Sequence, residues 1–175
     1  MSDPYVTIHK DDSQIYKSQV YKGNLNPDFS DEKKLVHPVT LQSIASGDKV
    51  LFKVKDFNKI ISSKLIGQCQ FSLLSLMEFD RVDNSESSRY TFKTPDGLAC
   101  VLTKLNGWKG TLKLINGEKA CGELHLEISL KFDGFTETEP FELTKSGSHS
   151  VPESSNLNES RSEMSRGVVR CKITR

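Results

Sequence analysis

Three apolar side chains lie among three lysines in the connection between residues 55 and 64, and these residue types could contact a lipid bilayer. The apolar residues are Phe57, Ile60 and Ile61, and the lysines are Lys55, Lys59 and Lys64. Apolar side chains can enter the headgroup boundary of a membrane, where each lysine beside an anionic surface contributes on the order of 1 kcal/mol. The alternative is that both isoleucines fold back onto the core of the protein.

Four lysines on neighbouring segments could form a second basic surface. They are Lys17, Lys22, Lys53 and Lys55. A surface of this kind attracts anionic groups, although lysines on strands can also be simply solvated or protect sheet edges from aggregation. The residues alone leave both interpretations open.

Residues suited to catalysis do not form a recognisable motif. The sequence has no phosphate-binding glycine loop, no G-x-S-x-G nucleophile elbow and no H-E-x-x-H zinc motif. Its histidines, His9, His37, His125 and His149, are scattered and fit surface or strand positions better than catalytic ones. We therefore expect no enzymatic activity.

The four cysteines are widely separated along the chain. No C-x-x-C pair and no histidine at zinc-ligand spacing accompanies them, so a zinc ribbon is not expected. We expect reduced and mostly buried thiols at Cys69, Cys100, Cys121 and Cys171.

The elements that must position these residues are predicted to be strands. Up to about residue 135, short segments of alternating polarity are separated by Gly, Asn, Asp and Pro, a pattern typical of a β-sandwich. Leu73–Asp80 could form one or two helical turns. The predicted strands are Tyr5–His9, Ile15–Lys22, Leu35–Leu41, Lys49–Asp56, Ile66–Ser72, Arg89–Lys93, Ala99–Lys104, Gly110–Ile115 and Glu123–Phe132.

The composition changes at Thr136 to Ser, Glu, Asn and Pro, which bury too little apolar surface to offset the entropy of ordering. We therefore predict a domain over residues 1–135 and a Ser-rich, disordered C-terminal tail over residues 136–175 with a basic end. In that end, Val169, Cys171 and Ile173 alternate with polar residues. It is either a solvated tail, an added edge strand or a weak electrostatic contact with a membrane.

The overall charge and hydropathy pattern narrow the classes of partner. In 175 residues, 24 Lys and Arg face 23 Asp and Glu, so the formal net charge is +1 and we expect no nucleic-acid partner. There is no secretory signal and no apolar run of about 18 residues that could span a bilayer. We therefore expect a cytoplasmic protein.

Three segments, in this order and spacing, resemble the C2 domain over residues 2–135. The first is Ser2-Asp3-Pro4-Tyr5-Val6, and the second runs from Tyr16 to Phe29 through Asn24-Leu25-Asn26-Pro27. The third is Asp56-Phe57-Asn58 followed by Leu65-Ile66-Gly67. The resemblance implies an all-β, C2-type antiparallel β-sandwich with a Greek-key arrangement.

A closer resemblance is to the second C2 domain of copines of the plant BONZAI type. It is carried by the run Lys17–Pro27 and by residues 56–76. Copines have two C2 domains followed by a von Willebrand A-type domain, whereas this chain has room for one C2 domain. The resemblance therefore implies a fragment, a splice form or a shortened relative without the A-type domain.

The same resemblance makes Asp3, Asp56 and Asn58 ligands of a calcium ion. Calcium takes about six to eight oxygens. The acidic residue that the family has before the S-D-P segment is missing, and Lys64 stands where a further loop aspartate is usual. We therefore expect a weakened calcium site.

The residues that precede the S-D-P segment in the family supply its first strand, so the resemblance implies that this strand is missing here. Three outcomes follow. The domain is marginally stable, a partner chain supplies the strand, or Val168–Thr174 takes its position at a modest entropic cost.

These expectations together describe a copine-like C2 module that binds anionic phospholipid at the plasma membrane, with calcium as a weak cofactor. The alternative is a calcium-independent protein-interaction module that uses a sheet edge or the tail to bind a protein partner.

Overall fold

Strands make up most of the described protein. The computed structural model describes residues 2–29, 34–58, 60, 62–82, 90–135 and 166–174, the last range by its backbone alone. One short helix, α1, spans Leu41–Ala45, and a 3₁₀ turn spans Leu73–Leu76. The strands are β1 (Pro4–Lys10), β2 (Ser13–Lys17), β3 (Leu35–Thr40), β4 (Lys49–Asp56), β5 (Lys64–Ser72), β6 (Met77–Arg81), β7 (Thr91–Lys93), β8 (Ala99–Leu105), β9 (Trp108–Asn116), β10 (Lys119–Phe132) and β11 (Arg166–Thr174).

The strands form two antiparallel sheets. Eight lie in the order β2-β1-β4-β5-β9-β10-β11-β3, and three form a small sheet in the order β6-β8-β7. The large sheet divides in its middle, because β5 and β9 are paired only at Gln68 and Ile115. Residues of β1 and β4 on one side and of β10 on the other share a single core cluster, so the two halves face each other. The predicted all-β sandwich is therefore confirmed.

Alternating side chains build the core, as their period of two along the sequence predicts. Val50 and Phe52 of β4 are fully buried. Leu126 and Ile128 of β10 are buried to the same extent and belong to the same core. The intervening residues, such as Lys49, Glu127 and Lys131, are exposed to solvent.

A glycine lies where β5 crosses β9. A Cβ atom on Gly67 would lie 3.0 Å from the Cβ of Leu114 and 3.2 Å from the Sγ of Cys121. Contacts this short would make the neighbouring side chains shift by a few tenths of an ångström, so the absence of a side chain eases the close approach of the two strands.

Two predicted elements differ from those observed. The strand predicted over Ile15–Lys22 ends at Lys17, because the Ser18 hydroxyl oxygen takes over as acceptor for the Val6 N–H at 2.9 Å. The helical turns predicted over Leu73–Asp80 stop at Leu76 and continue as strand β6. Pairing of β6 with β8, which is distant in sequence, decides that outcome.

The described cysteines differ in how deeply they are buried. Cys100 is buried, and Cys69 is half-buried, so desolvation raises the pKa of its thiol to about 11. Cys121 is exposed, which makes the expectation of a buried thiol wrong there, because the first residues of β10 extend beyond the core. All three are free thiols. The side chain of Cys171 lies outside the described residues.

The C-terminal residues enter the large sheet as β11, which corrects the prediction that all of residues 136–175 form a disordered tail. The strand pairs antiparallel with β10 on one side and with β3 on the other. It is therefore an internal strand of the sheet. That Val168–Thr174 takes the place of a missing first strand stays a prediction. The remaining tail residues, 136–165, lie outside the described part of the chain.

Candidate functional site

Three lysines gather on the outer face of strands β2, β1 and β4. Thr7 of β1 is the direct cross-strand partner of Lys17 on β2 and of Lys53 on β4, and Tyr5 is the partner of Lys55. Directly opposed residues of antiparallel strands share one face of the sheet. We call Lys17, Lys53 and Lys55 the basic face.

Tyr5 and Thr7 form the floor of the basic face. Their neighbours Val6 and Ile8 belong to the core, so Tyr5 and Thr7 alternate to the opposite side, yet they are only 5% and 1% exposed. The Lys17 ammonium lies 4.8 Å from the centroid of the Tyr5 ring, which is a cation–π distance. The Lys17 side chain therefore lies against the Tyr5 ring that forms the floor of the face.

The charges of the basic face are not balanced by carboxylates. The cross-strand partners of Lys53 are Thr7 and Gln68, and none of the three lysines forms an ion pair with a described residue. Farther along the same sheet, Lys109 and Lys113 stand directly opposite Glu127 and Glu123. None of these four side chains forms an ion pair with a described residue either, but each of the two lysines has a glutamate directly opposite it, whereas Lys17, Lys53 and Lys55 have no carboxylate opposite them in the described strands.

A histidine borders the basic face. His9 alternates with Thr7 along β1, and its Nε2 atom lies 3.0 Å from the Thr7 hydroxyl oxygen. Burial, followed by the nearby charges of Lys53 and Lys55, lowers the pKa of His9 below its usual 6.5. His9 is therefore neutral at pH 7 and can add a charge to the face in mildly acidic solution.

The predicted calcium ligands Asp3 and Asp56 meet at one end of β1 and β4. The backbone N–H of Asp3 donates to Asp56 Oδ1 at 2.7 Å, and the N–H of Gly23 donates to Asp3 Oδ1 at 2.8 Å. The bond from Asp3 lowers the pKa of Asp56, to which the charge of Lys64 adds a smaller contribution. The two carboxylates fasten three segments of chain together.

Two exposed loop tips flank this pair of aspartates, and each is shaped by an asparagine. The Asn58 Oδ1 accepts the N–H of Ile60 at 2.9 Å, and the Asn24 Oδ1 accepts the N–H of Asn26 at the same distance. These turns direct the loop tips into solvent, where the side chains of Ile60 and Leu25 are 94% and 75% exposed. Leu25 did not stand out in the sequence, where its N-L-N-P turn is the only signal.

The other predicted site residues do not form one cluster in the structure. Phe57 is half-buried, with its ring packed edge-on against Tyr5 at a centroid distance of 6.4 Å. Lys22 follows the end of β2 in a loop, so the prediction that it lies on a strand beside Lys17 is wrong. Lys64 is exposed and directly opposite Asp56. Lys59 and Ile61 lie outside the described residues.

The predicted ligand set does not fit a calcium site made by the protein alone. Calcium needs about six to eight oxygens. Asp3, Asp56 and Asn58 supply two carboxylates and one amide, and each already accepts a backbone N–H. No group of three or more His, Cys, Asp or Glu side chains in the described ranges is placed to hold a metal ion.

The comparison with protein families assigns the sandwich. The C2 domain family matches residues 1–90, more than half of the chain and all of β1 to β6. The chain belongs to the C2 domain family. No curated protein matches the sequence.

C2 domains generally mediate interactions with membranes, lipids or proteins, often in a calcium-dependent way, and they are typically non-catalytic binding modules. In this C2 domain, the basic face and the aspartate pair both lie within the matched residues. Within the described residues, no helix combines the length and the apolarity needed to cross a bilayer.

Proposed function

We propose that this C2 domain binds peripherally to anionic phospholipid membranes through the basic face. The observation that carries the proposal is that, among the described strands, no carboxylate stands directly opposite Lys17, Lys53 or Lys55, whereas the lysines of β9 stand opposite glutamates. Each lysine near an anionic surface contributes on the order of 1 kcal/mol. Three such contributions support the weak and reversible membrane binding that is expected of a peripheral membrane domain.

We propose further that binding does not require calcium. The oxygens of Asp3 and Asp56 already serve as backbone caps, so calcium can at most modulate the docking with phosphate oxygens completing its shell. A copine-type role at the plasma membrane is part of this proposal and rests on the similarity of residues 17–27 and 56–76 to copines.

The experiment that tests the proposal is cosedimentation of the full chain with vesicles of phosphatidylcholine, with and without phosphatidylserine. It is performed in chelator and in about 1 mM calcium. We expect binding to the phosphatidylserine vesicles in both solutions, and little to the neutral ones. Binding in neither solution would refute the membrane function, and binding in calcium alone that is lost in Asp56→Ala would refute calcium independence.

The loop tips are expected to add apolar contacts. The double change Leu25→Asp/Ile60→Asp should weaken vesicle binding about tenfold, because two exposed aliphatic side chains lose partial insertion worth roughly 1.4 kcal/mol. The matched control is Leu98→Asp, an apolar turn residue that is 36% exposed beside the small sheet. Equal binding by both variants would exclude insertion of the tips.

Binding is expected to strengthen in acid. Because the pKa of His9 is lowered, the imidazole gains its proton only as the pH falls below the usual 6.5 of histidine, and it then adds a cation beside Lys53. Because an anionic surface favours the charged form, vesicle affinity should rise severalfold. His9→Gln should abolish the rise, whereas His125→Gln, at an exposed position of β10, should preserve it. A rise that persists in His9→Gln would assign the effect to another group.

A further inference from the structure

Strand β11 is held in the sheet by its pairing with β10 and β3, and it is not connected to β10 by a tight turn. Phe132 and Gly167 are direct cross-strand partners, yet residues 133–166 separate them along the chain. Neighbouring antiparallel strands can be joined by about two to five residues. The connection between β10 and β11 is therefore far longer than their geometry requires.

The position between β10 and β3 matches the sequence of β11. Val169, Cys171 and Ile173 stand opposite Leu130, Ile128 and Leu126, which are core residues of β10, and Lys172 stands opposite Glu127. Among the described strands, β3 pairs only with β11, so β11 attaches β3 to the sheet. A second copy of the chain carries the same strand and can form the same register.

The end of β11 that leads into the connection is paired with both neighbours from Gly167 onward, but one position there contributes less packing than the others. Gly167 brings no side chain to a position opposite Phe132 and Val39, both of which are buried. The missing side chain lowers the free energy that must be supplied to separate β11 from its neighbours.

We propose that β11 is exchanged between two copies of this chain, so that each copy completes the sheet of the other in a symmetric dimer. The contacts in the exchanged dimer are those already seen within one chain. Fully extended, residues 133–166 span up to roughly 110 Å, which allows β11 to reach a second copy. Pairing of β11 within its own chain competes with the exchange. The effective concentration of β11 for its own sheet is in the millimolar range, so the exchanged dimer becomes more populated as the protein concentration rises.

Disulfide trapping between differently tagged chains tests the exchange. One chain carries Ser129→Cys and the other carries Arg170→Cys, because these two residues are direct cross-strand partners. Their expected Cα separation of about 4.5–5.5 Å suits a disulfide. Both chains also carry Cys121→Ser, which removes the exposed native thiol. The control mixture replaces Ser129→Cys by Lys113→Cys, on a strand that does not pair with β11.

Under mild oxidation, we expect a disulfide-linked pair of unlike chains that increases with protein concentration and exceeds the control at least tenfold. A single chain carrying both Ser129→Cys and Arg170→Cys reports the register within one molecule. If that chain forms its internal disulfide but the mixed chains do not exceed the control, the exchange is refuted. If it forms no internal disulfide, the register of β11 and the proposal built on it are both wrong. None of these outcomes depends on membrane binding.

Discussion

Replacing Lys17, Lys53 and Lys55 together by glutamine is expected to weaken binding to phosphatidylserine vesicles roughly 100-fold. Each charge contributes on the order of 1 kcal/mol beside an anionic surface, and about 1.4 kcal/mol corresponds to a tenfold change in affinity. Glutamine keeps the Cβ and Cγ methylenes of each lysine and removes its charge, and Tyr5 and Thr7 beneath them stay unchanged. Vesicle cosedimentation at fixed ionic strength measures the change, and thermal unfolding verifies that the variant is folded.

The matched control is Lys109→Gln/Lys113→Gln on the same sheet. Those lysines face Glu127 and Glu123, so their loss leaves unbalanced carboxylates and no basic face is removed. We expect a reduction of no more than severalfold in the control. A control that loses as much affinity as the triple variant would show that only the net charge matters, and would refute the assignment to the basic face.

The double change Cys171→Lys/Ile173→Asp is expected to destabilise the fold by about 3 kcal/mol or more. It introduces two charges at positions opposite Ile128 and Leu126, both of which are fully buried. For a chain of this size, the melting temperature should fall by about 6–12 °C. Thermal unfolding followed by circular dichroism at several protein concentrations measures the effect.

A control that keeps the same strand is Arg170→Ser/Lys172→Ser. These residues stand opposite Ser129 and the exposed Glu127, so we expect the stability to change by less than about 0.5 kcal/mol. A melting temperature left unchanged by Cys171→Lys/Ile173→Asp would contradict the insertion of β11 between β10 and β3.

Properties that depend on local alternation could be predicted from the sequence. The period of two in β4 and β10 identified their buried faces correctly, because side chains alternate across a strand whatever its partners are. Strand β6 is not among the predicted strands, and the predicted helical turns extend beyond Leu76, because pairing with β8 decides the conformation there. Strand β11 falls within the predicted tail because the residues before it have a composition too polar for a core.

The candidate site depends on register, which the sequence does not contain. Lysines 17, 53 and 55 form one face because Thr7 and Tyr5 lie between them, and only the observed pairing of β1 with both neighbours shows this. The same register explains why His9 borders the face. The exposure of Leu25 also depends on the fold, because a leucine in a turn gives no sequence signal that its side chain is 75% exposed.

The most direct measurement of the docking surface is lysine acetylation of the unmodified full chain, read by mass spectrometry with and without phosphatidylserine vesicles. Bound membrane should protect Lys17, Lys53 and Lys55 severalfold more than Lys109 and Lys113, which stand opposite glutamates in the same sheet. Vesicle binding with equal reactivity of the two sets, or with protection confined to Lys109 and Lys113, would contradict docking through the basic face.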